Sequence, residues 1–234
     1  MWKKKDKKEK LRKRFQLDEM KQQFKNKEST NWQYEFQVAM TYLDSFHSDE
    51  GPAYFSQYPI LETSYLLLSR VIEDPEDAHQ RILHRAVIET PIGNLTIFNT
   101  HFALNLAARE RAVVEIWNWI QQFPQPQLLM GDLNAEPDDS SIEFLLGKRE
   151  LQGQTGDFVD LCDKLTPGAT PNTFPAWDPI KRIDFLLGRG VELSQYNFLG
   201  QTPNYVDAAD SSQALYSSDH FGISATISFN KQTK

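Results

Sequence analysis

The sequence predicts a layered α/β domain, and three observations point there. Short apolar and β-branched segments recur between turn signals, one segment from Leu106 to Ile120 carries a clear helical period, and 234 residues are enough for one large core. Strands dominate, with helices inserted between some of them. Such a chain buries its apolar faces as stacked layers rather than as a helical bundle or a pure sandwich. The 40% apolar and 12% aromatic content is that of an ordinary folded protein.

Taken in order, residues 1–27 read as a basic tail running into an amphipathic helix, with Leu11, Phe15, Met20 and Phe24 on one loose face. The domain proper is expected over 28–234. Residues 32–41 and 52–60 are aromatic and β-branched, with Gly51-Pro52 as the turn between two strands. Residues 65–71 and 82–89 read as a strand pair around the acidic loop 73–77. Pro91-Ile92-Gly93-Asn94 is a tight hairpin signal that leads into a strand ending at His101. Leu106, Ala107, Val113, Val114, Trp117 and Ile120 then recur at helical spacing until Pro124 and Pro126 end the helix. Leu128-Leu129-Met130 has the continuous apolar character of a buried strand. Residues 140–146 predict a short helix with a capping box, Ser140 followed by Glu143. Residues 153–179 are loose, and strand character returns at 182–187, 196–199 and 223–229.

The net charge of -7 is unevenly spread, because residues 1–27 hold twelve Lys/Arg against four Asp/Glu. The body is therefore strongly acidic, which argues against a protein that grips a long nucleic-acid backbone over its whole surface. The tail lysines read as a solvated helix end, with a nuclear-localisation or anionic-surface patch as the functional alternative. The single Cys162 excludes an intrachain disulfide and a cysteine-rich zinc module. No stretch approaches the roughly 20 consecutive apolar residues of a membrane helix, and no apolar signal core follows the first lysines. A protein without a membrane span, cytoplasmic or nuclear, is expected.

Four stretches carry candidate chemistry. Gly131-Asp132-Leu133-Asn134 follows the buried strand, so a carboxylate and an amide two residues apart point to one side of its end. The carboxylate can orient water or bind a hard cation, and the amide can donate to a phosphate oxygen. Taken alone, Asp and Asn in a turn need no function, since both favour turns. Ser217-Ser218-Asp219-His220, before the last strand, adds a second hard oxygen donor and an imidazole able to exchange protons near neutrality. In Arg182-Ile183-Asp184-Phe185 an acid sits within an apolar strand, where it needs a partner, and His220 is a plausible one. Asn99-Thr100-His101 ends the strand before the main helix; by itself His101 reads as a structural histidine.

In order and context these four stretches resemble the endonuclease/exonuclease/phosphatase (DNase I-like) family. Glu50-Gly51-Pro52-Ala53-Tyr54-Phe55-Ser56-Gln57-Tyr58-Pro59-Ile60 is similar to the family's strand-turn-strand around Ser-Arg-Tyr-Pro, and Thr173-Phe174-Pro175 to its loop before Arg-Ile-Asp. The resemblance runs from about Trp32 to the C-terminus. It implies a four-layer α/β/β/α sandwich of two mainly antiparallel sheets, and Mg²⁺-dependent (or Mn²⁺-dependent) hydrolysis of a phosphoester substrate by a nuclease, phosphodiesterase or phosphatase. On the matching positions it implies that Asp132 activates water, that Asn134 contacts the phosphate or nucleophile, and that His220, oriented by Asp184, binds the phosphoryl group. His101 would touch another phosphate oxygen, with Asp219 and Asp132 as metal ligands.

The family's opening strands, bearing an Asn and then the Glu that is its principal metal ligand, have no counterpart, so the fold is expected to be N-terminally incomplete. Glu9, Glu19, Glu28 and Glu35 match that Glu by type only. The alternative is a catalytically impaired relative acting as a phosphate-ligand binding or regulatory module. A two-histidine phosphoesterase is excluded, because neither His101 nor His220 is followed two positions on by Thr or Ser. No Gly-x-Ser-x-Gly elbow supports serine hydrolase chemistry.

Overall fold

The computed structural model describes residues 32–42, 48–206 and 214–230. The tail and helix expected over 1–27, with Glu9 and Glu19, lie outside the described residues, as does Glu28. The elements are β1 (Gln33–Phe36), β2 (Met40–Tyr42), β3 (Ser48–Glu50), β4 (Ala53–Ser56), β5 (Ile60–Leu67), β6 (Ile82–Thr90), β7 (Gly93–His101) and α1 (Leu106–Ile120). They continue as β8 (Gln127–Asp132), α2 (Ser140–Leu145), β9 (Val159–Asp160), α3 (Leu161–Leu165), β10 (Asp184–Arg189), β11 (Glu192–Leu199), β12 (Tyr205–Val206), β13 (Ala214–Leu215) and β14 (Gly222–Ser228).

A six-stranded sheet in the order β5-β6-β7-β8-β10-β9 forms the centre. All its neighbours pair antiparallel except β7 and β8, which run parallel because α1 provides the crossover between them. Alternation sorts its side chains into two faces. Leu83, Phe98, Leu129, Phe185 and Leu187 point toward α1 and α2 and pack with Val113, Ile116, Ile120, Ile142 and Leu145. Fully burying each such side chain contributes roughly 1.5–3 kcal/mol. On the other face Leu95, Leu128 and Leu186 pack with α3 and with Ile223 and Ile227 of β14, while Ala86 and Ile88 pack under Tyr54 of β4. On that face lie the two-stranded ribbons β1-β4 and β11-β14, and β2-β3 and β12-β13 form two further ribbons among the described residues. Helices, sheet and ribbons thus form the predicted layers.

Several local expectations are corrected. The strand expected over 65–71 is Ile60–Leu67, and the chain leaves the sheet at Leu68, whose N–H goes to the Arg81 carbonyl. The segment 52–60 is two strands, split where Tyr58 N–H bonds the Ser56 hydroxyl. The expected capping box is absent. Asp139 caps α2, accepting from Ser141 N–H at 2.9 Å and from Arg109 at 2.7 Å, while the Ser140 hydroxyl donates to Glu110. A carboxylate at a helix N-terminus with a guanidinium beside it outcompetes a neutral hydroxyl. Asp184 is the first residue of its strand rather than an interior one.

Gly131 shows how tightly the strand ends are joined. Its φ is +138°, and a Cβ there would lie 1.9 Å from the Thr100 carbonyl oxygen of β7. Only glycine allows the β7 and β8 backbones to approach this closely. Gly131→Ala is therefore expected to lower stability by more than about 3 kcal/mol, read as a fall in thermal midpoint by circular dichroism. An unchanged midpoint would refute the close approach.

Candidate active site

Register brings three of the expected residues together. His101 of β7 is the cross-strand partner of Asp132 of β8, and Asp132 is the partner of Asp184 of β10. Residues paired in register point to the same face, so an imidazole and two carboxylates form one row across three strand ends. His101 Nε2 lies 3.3 Å from Asp132 Oδ2. The fourth group arrives from the loop before β14. His220 Nδ1–H donates to Asp184 Oδ2 at 2.8 Å, and its Nε2 stands 3.7 Å from Asp132 Oδ2. The Phe174 ring, centred 4.7 Å from the imidazole, supports it from the side.

Asn134 is held by its own backbone. Its φ is +46°, a left-handed conformation that Asn tolerates better than most residues. Its N–H donates to Asp132 Oδ1 at 2.9 Å and its amide Nδ2 donates to the Phe102 carbonyl at 2.9 Å. One carboxylate oxygen of Asp132 is thus committed to the turn, and Oδ2 is left facing the histidines. One amide hydrogen of Asn134 is likewise committed, leaving the other for a ligand.

The charges are poised against one another. Burial raises the Asp132 carboxyl above the usual carboxylate range; Asp184 adds to this, while His101, the Asn134 N–H and His220 oppose it. Burial lowers His101 below an ordinary imidazole, and the nearby Arg81 charge lowers it further. His220 moves the other way, raised chiefly by its hydrogen bond to Asp184. Two histidines on one carboxylate therefore differ in proton affinity, the Asp184-bound one being the better holder.

The row opens into a cleft of about 780 Å³ lined by His101, Asp132, Asn134 and His220 together with Arg81, Phe174 and Lys181. A smaller cavity of about 220 Å³ shares Arg81, His101 and Asp132 and is walled by Glu50. Glu50 accepts from the Tyr42 hydroxyl at 2.5 Å and lies 3.5 Å from Arg81. Sequence reading missed Arg81, Lys181 and Glu50. Each lies just outside or at the end of a strand, among many similar surface charges, with no local signal to distinguish it.

Asp219 is the expected residue that the structure does not bring in. Its side chain is exposed and absent from the cleft wall, and its backbone carbonyl accepts from Ala176 N–H. Among the described residues no group of three or more His, Cys, Asp or Glu is arranged to hold a metal. Mg²⁺, however, takes one or two carboxylates and completes its shell with water, so Asp132 fits its chemistry, whereas Asp219 stands outside the cleft wall.

The sequence model of the Endonuclease/Exonuclease/phosphatase family matches residues 14–220. The chain belongs to this family. No curated protein matches the sequence. Among solved structures, an endonuclease/exonuclease/phosphatase family protein from Bacteroides thetaiotaomicron is 18% identical, with a TM-score of 0.64 covering 86% of this chain and 75% of that one. The mannosyl-6-phosphatase Bt3783 of the same organism is 20% identical, with a TM-score of 0.63 over 85% and 77%. D. rerio TDP2, solved with a single-strand DNA product, is 15% identical, with a TM-score of 0.62 over 88% and 80%. Likenesses at this identity speak of fold, and the fold is the DNase I-like α/β fold of the family. Members of the family hydrolyse phosphoesters. Among the described residues no helix is long and apolar enough to cross a membrane.

Two outcomes check this geometry. In Asp184→Asn the carboxylate that stabilises the His220 imidazolium is lost, so the His220 midpoint in an NMR titration should fall; an unmoved midpoint would separate the pair. At position 134, Gly should be tolerated better than Ala by about 1 kcal/mol in chemical unfolding, since Ala both loses the Phe102 bond and strains a positive φ. Equal losses would show that the backbone conformation does not matter.

Proposed function

We propose that the chain is a Mg²⁺-dependent hydrolase of phosphoester bonds, of the nuclease, phosphodiesterase or phosphatase type. The observation that carries this reading is the position of Asp132 Oδ2, between the Nε2 atoms of His101 at 3.3 Å and His220 at 3.7 Å, with Asp184 behind His220. A phosphoryl group placed above this row would meet an acceptor for the proton of water and two ring nitrogens for its oxygens.

Asp132 takes the proton from the attacking water through Oδ2, the oxygen not used by the turn. His220 presents Nε2 to the phosphoryl oxygens, because its Nδ1 is fixed on Asp184, and the same bond favours the imidazolium there. Asn134 and His101 donate to further oxygens, and Arg81 and Lys181 supply positive charge in the same cleft. Asp132 is the carboxylate in the cleft that would hold Mg²⁺, which would supply positive charge against that developing on the phosphoryl group. Phosphoryl transfer depends mainly on positioning and on charge, which are what these residues provide.

Hydrolysis of bis(p-nitrophenyl) phosphate by the purified chain tests the reading. Turnover should require Mg²⁺ or Mn²⁺, cease with chelator, and fall by about 100-fold or more in Asp132→Ala. Asp132 must be deprotonated to act as base, so burial moves the acid limb of the rate profile to higher pH. His220 must stay protonated, so its bond to Asp184 moves the alkaline limb to higher pH as well. The second reading is a phosphate-binding module without catalysis, favoured by the absence of a third metal donor among the described residues. Inorganic phosphate binding with no turnover above Asp132→Ala would assign it.

A further inference from the structure

We propose that the phosphoester taken by this cleft is carried on an aliphatic chain and presented at a zwitterionic lipid surface, which two apolar rims of the cleft enter. The proposal rests on the phosphoester reading and names its substrate class.

The rims stand on either side of Asp132. In the central sheet β8 lies between β7 and β10, so the loop leaving β7 and the loop entering β10 flank its end. The first rim follows β7. Leu104, itself in the cleft wall, is 61% exposed, and Ile72 is 64% exposed. They are neighbours because the Asn105 amide donates to Asp74 Oδ2 at 2.8 Å and the Asp74 N–H returns to the Val71 carbonyl at 3.1 Å. Val71 and Leu106 extend the same exposed apolar surface. The second rim precedes β10. Lys181 N–H and Ile180 N–H both reach the Phe174 carbonyl at 2.9 Å, closing a loop that carries Trp177 and Ile180, 62% and 64% exposed. Phe174 and Lys181, the two ends of that loop, line the cleft.

Single exposed apolar side chains need no explanation, but large ones grouped on both flanks of a site mark an interaction surface. Their chemistry selects the ligand. The rims are mostly aliphatic, whereas bases of a single strand are held by aromatic or guanidinium planes. Charge selects the surface. The rim loops expose Glu73, Glu76 and Asp178, which repel anionic lipid, while the cations Arg81 and Lys181 line the cleft where a phosphate would sit. An amphiphile has this same order, an anionic phosphoester between an aliphatic body and water.

The test uses phosphatidylcholine vesicles in a flotation assay, with bis(p-nitrophenyl) phosphate as the soluble control. The full chain should float with the phosphatidylcholine vesicles. The double variant Ile72→Asp, Trp177→Asp should partition at least about tenfold more weakly, yet keep its circular dichroism spectrum and its turnover of the soluble ester. A wild-type chain that stays out of the vesicle layer while hydrolysing the soluble ester overturns the lipid proposal and leaves the hydrolase reading standing. Flotation lost in the variant, with no soluble turnover in either protein, upholds the rims and overturns hydrolysis. Tight binding of a single-stranded oligonucleotide that Trp177→Asp alone abolishes, without flotation, overturns the lipid in favour of a base.

Discussion

The site depends on one constraint, the register that aligns His101, Asp132 and Asp184 across β7, β8 and β10. Because side chains alternate with a period of two, a slip of one residue in either pairing would turn a member of the row to the helical face. Several features hold the register in place. Gly131 lets the β7 and β8 backbones meet, Phe102 N–H reaches the Asp132 carbonyl, and Leu133 N–H reaches the Ile183 carbonyl. The apolar residues one or three positions away, Phe98, Leu129 and Phe185 among them, are buried against α1 and α2, so the core that stabilises the fold also sets the direction of the polar row.

The polar groups in turn are kept distinct by what lies behind them. His101 and His220 approach the same oxygen of Asp132, and the same residue type has opposite tendencies at the two places. Burial and Arg81 act against a proton on His101, whereas Asp184 favours one on His220. A carboxylate that burial raises, facing one imidazole that releases its proton readily and one that retains it, forms a graded set of proton acceptors and donors in a single cleft. Asn134 contributes by its backbone as much as by its amide, since its left-handed turn fixes the Asp132 carboxylate through Oδ1.

Away from the row, the structure uses charge to join layers. Arg109 of α1 reaches Asp139 at the start of α2, and Arg182 is paired with Asp160 in the interior at 2.5 Å. Arg182 had stood out in the sequence only as part of the Arg-Ile-Asp stretch; its partner Asp160 lies 22 residues earlier and carries no mark of the pairing. The same holds for Glu50 and Arg81 beside His101. Long-range polar partners are set by folding, and neither spacing nor residue type announces them.

What the sequence determined by itself was whatever local periodicity and turn chemistry encode. The α1 period, the Pro91-Ile92-Gly93-Asn94 hairpin and the apolar run of β8 all translate directly into elements, because the residues that decide them are neighbours in the chain. It also contained Asp132, Asn134, Asp184, His101 and His220, legible only together, through the order of their four stretches and the resemblance of that order to the family. Tertiary structure alone decided that Asp139 rather than Ser140 caps α2, that Arg81 and Lys181 face the cleft, and that Asp219 remains outside its wall. Those outcomes turn on which distant charge or backbone group comes within hydrogen-bonding reach, a matter of packing between layers that no stretch of the chain carries on its own.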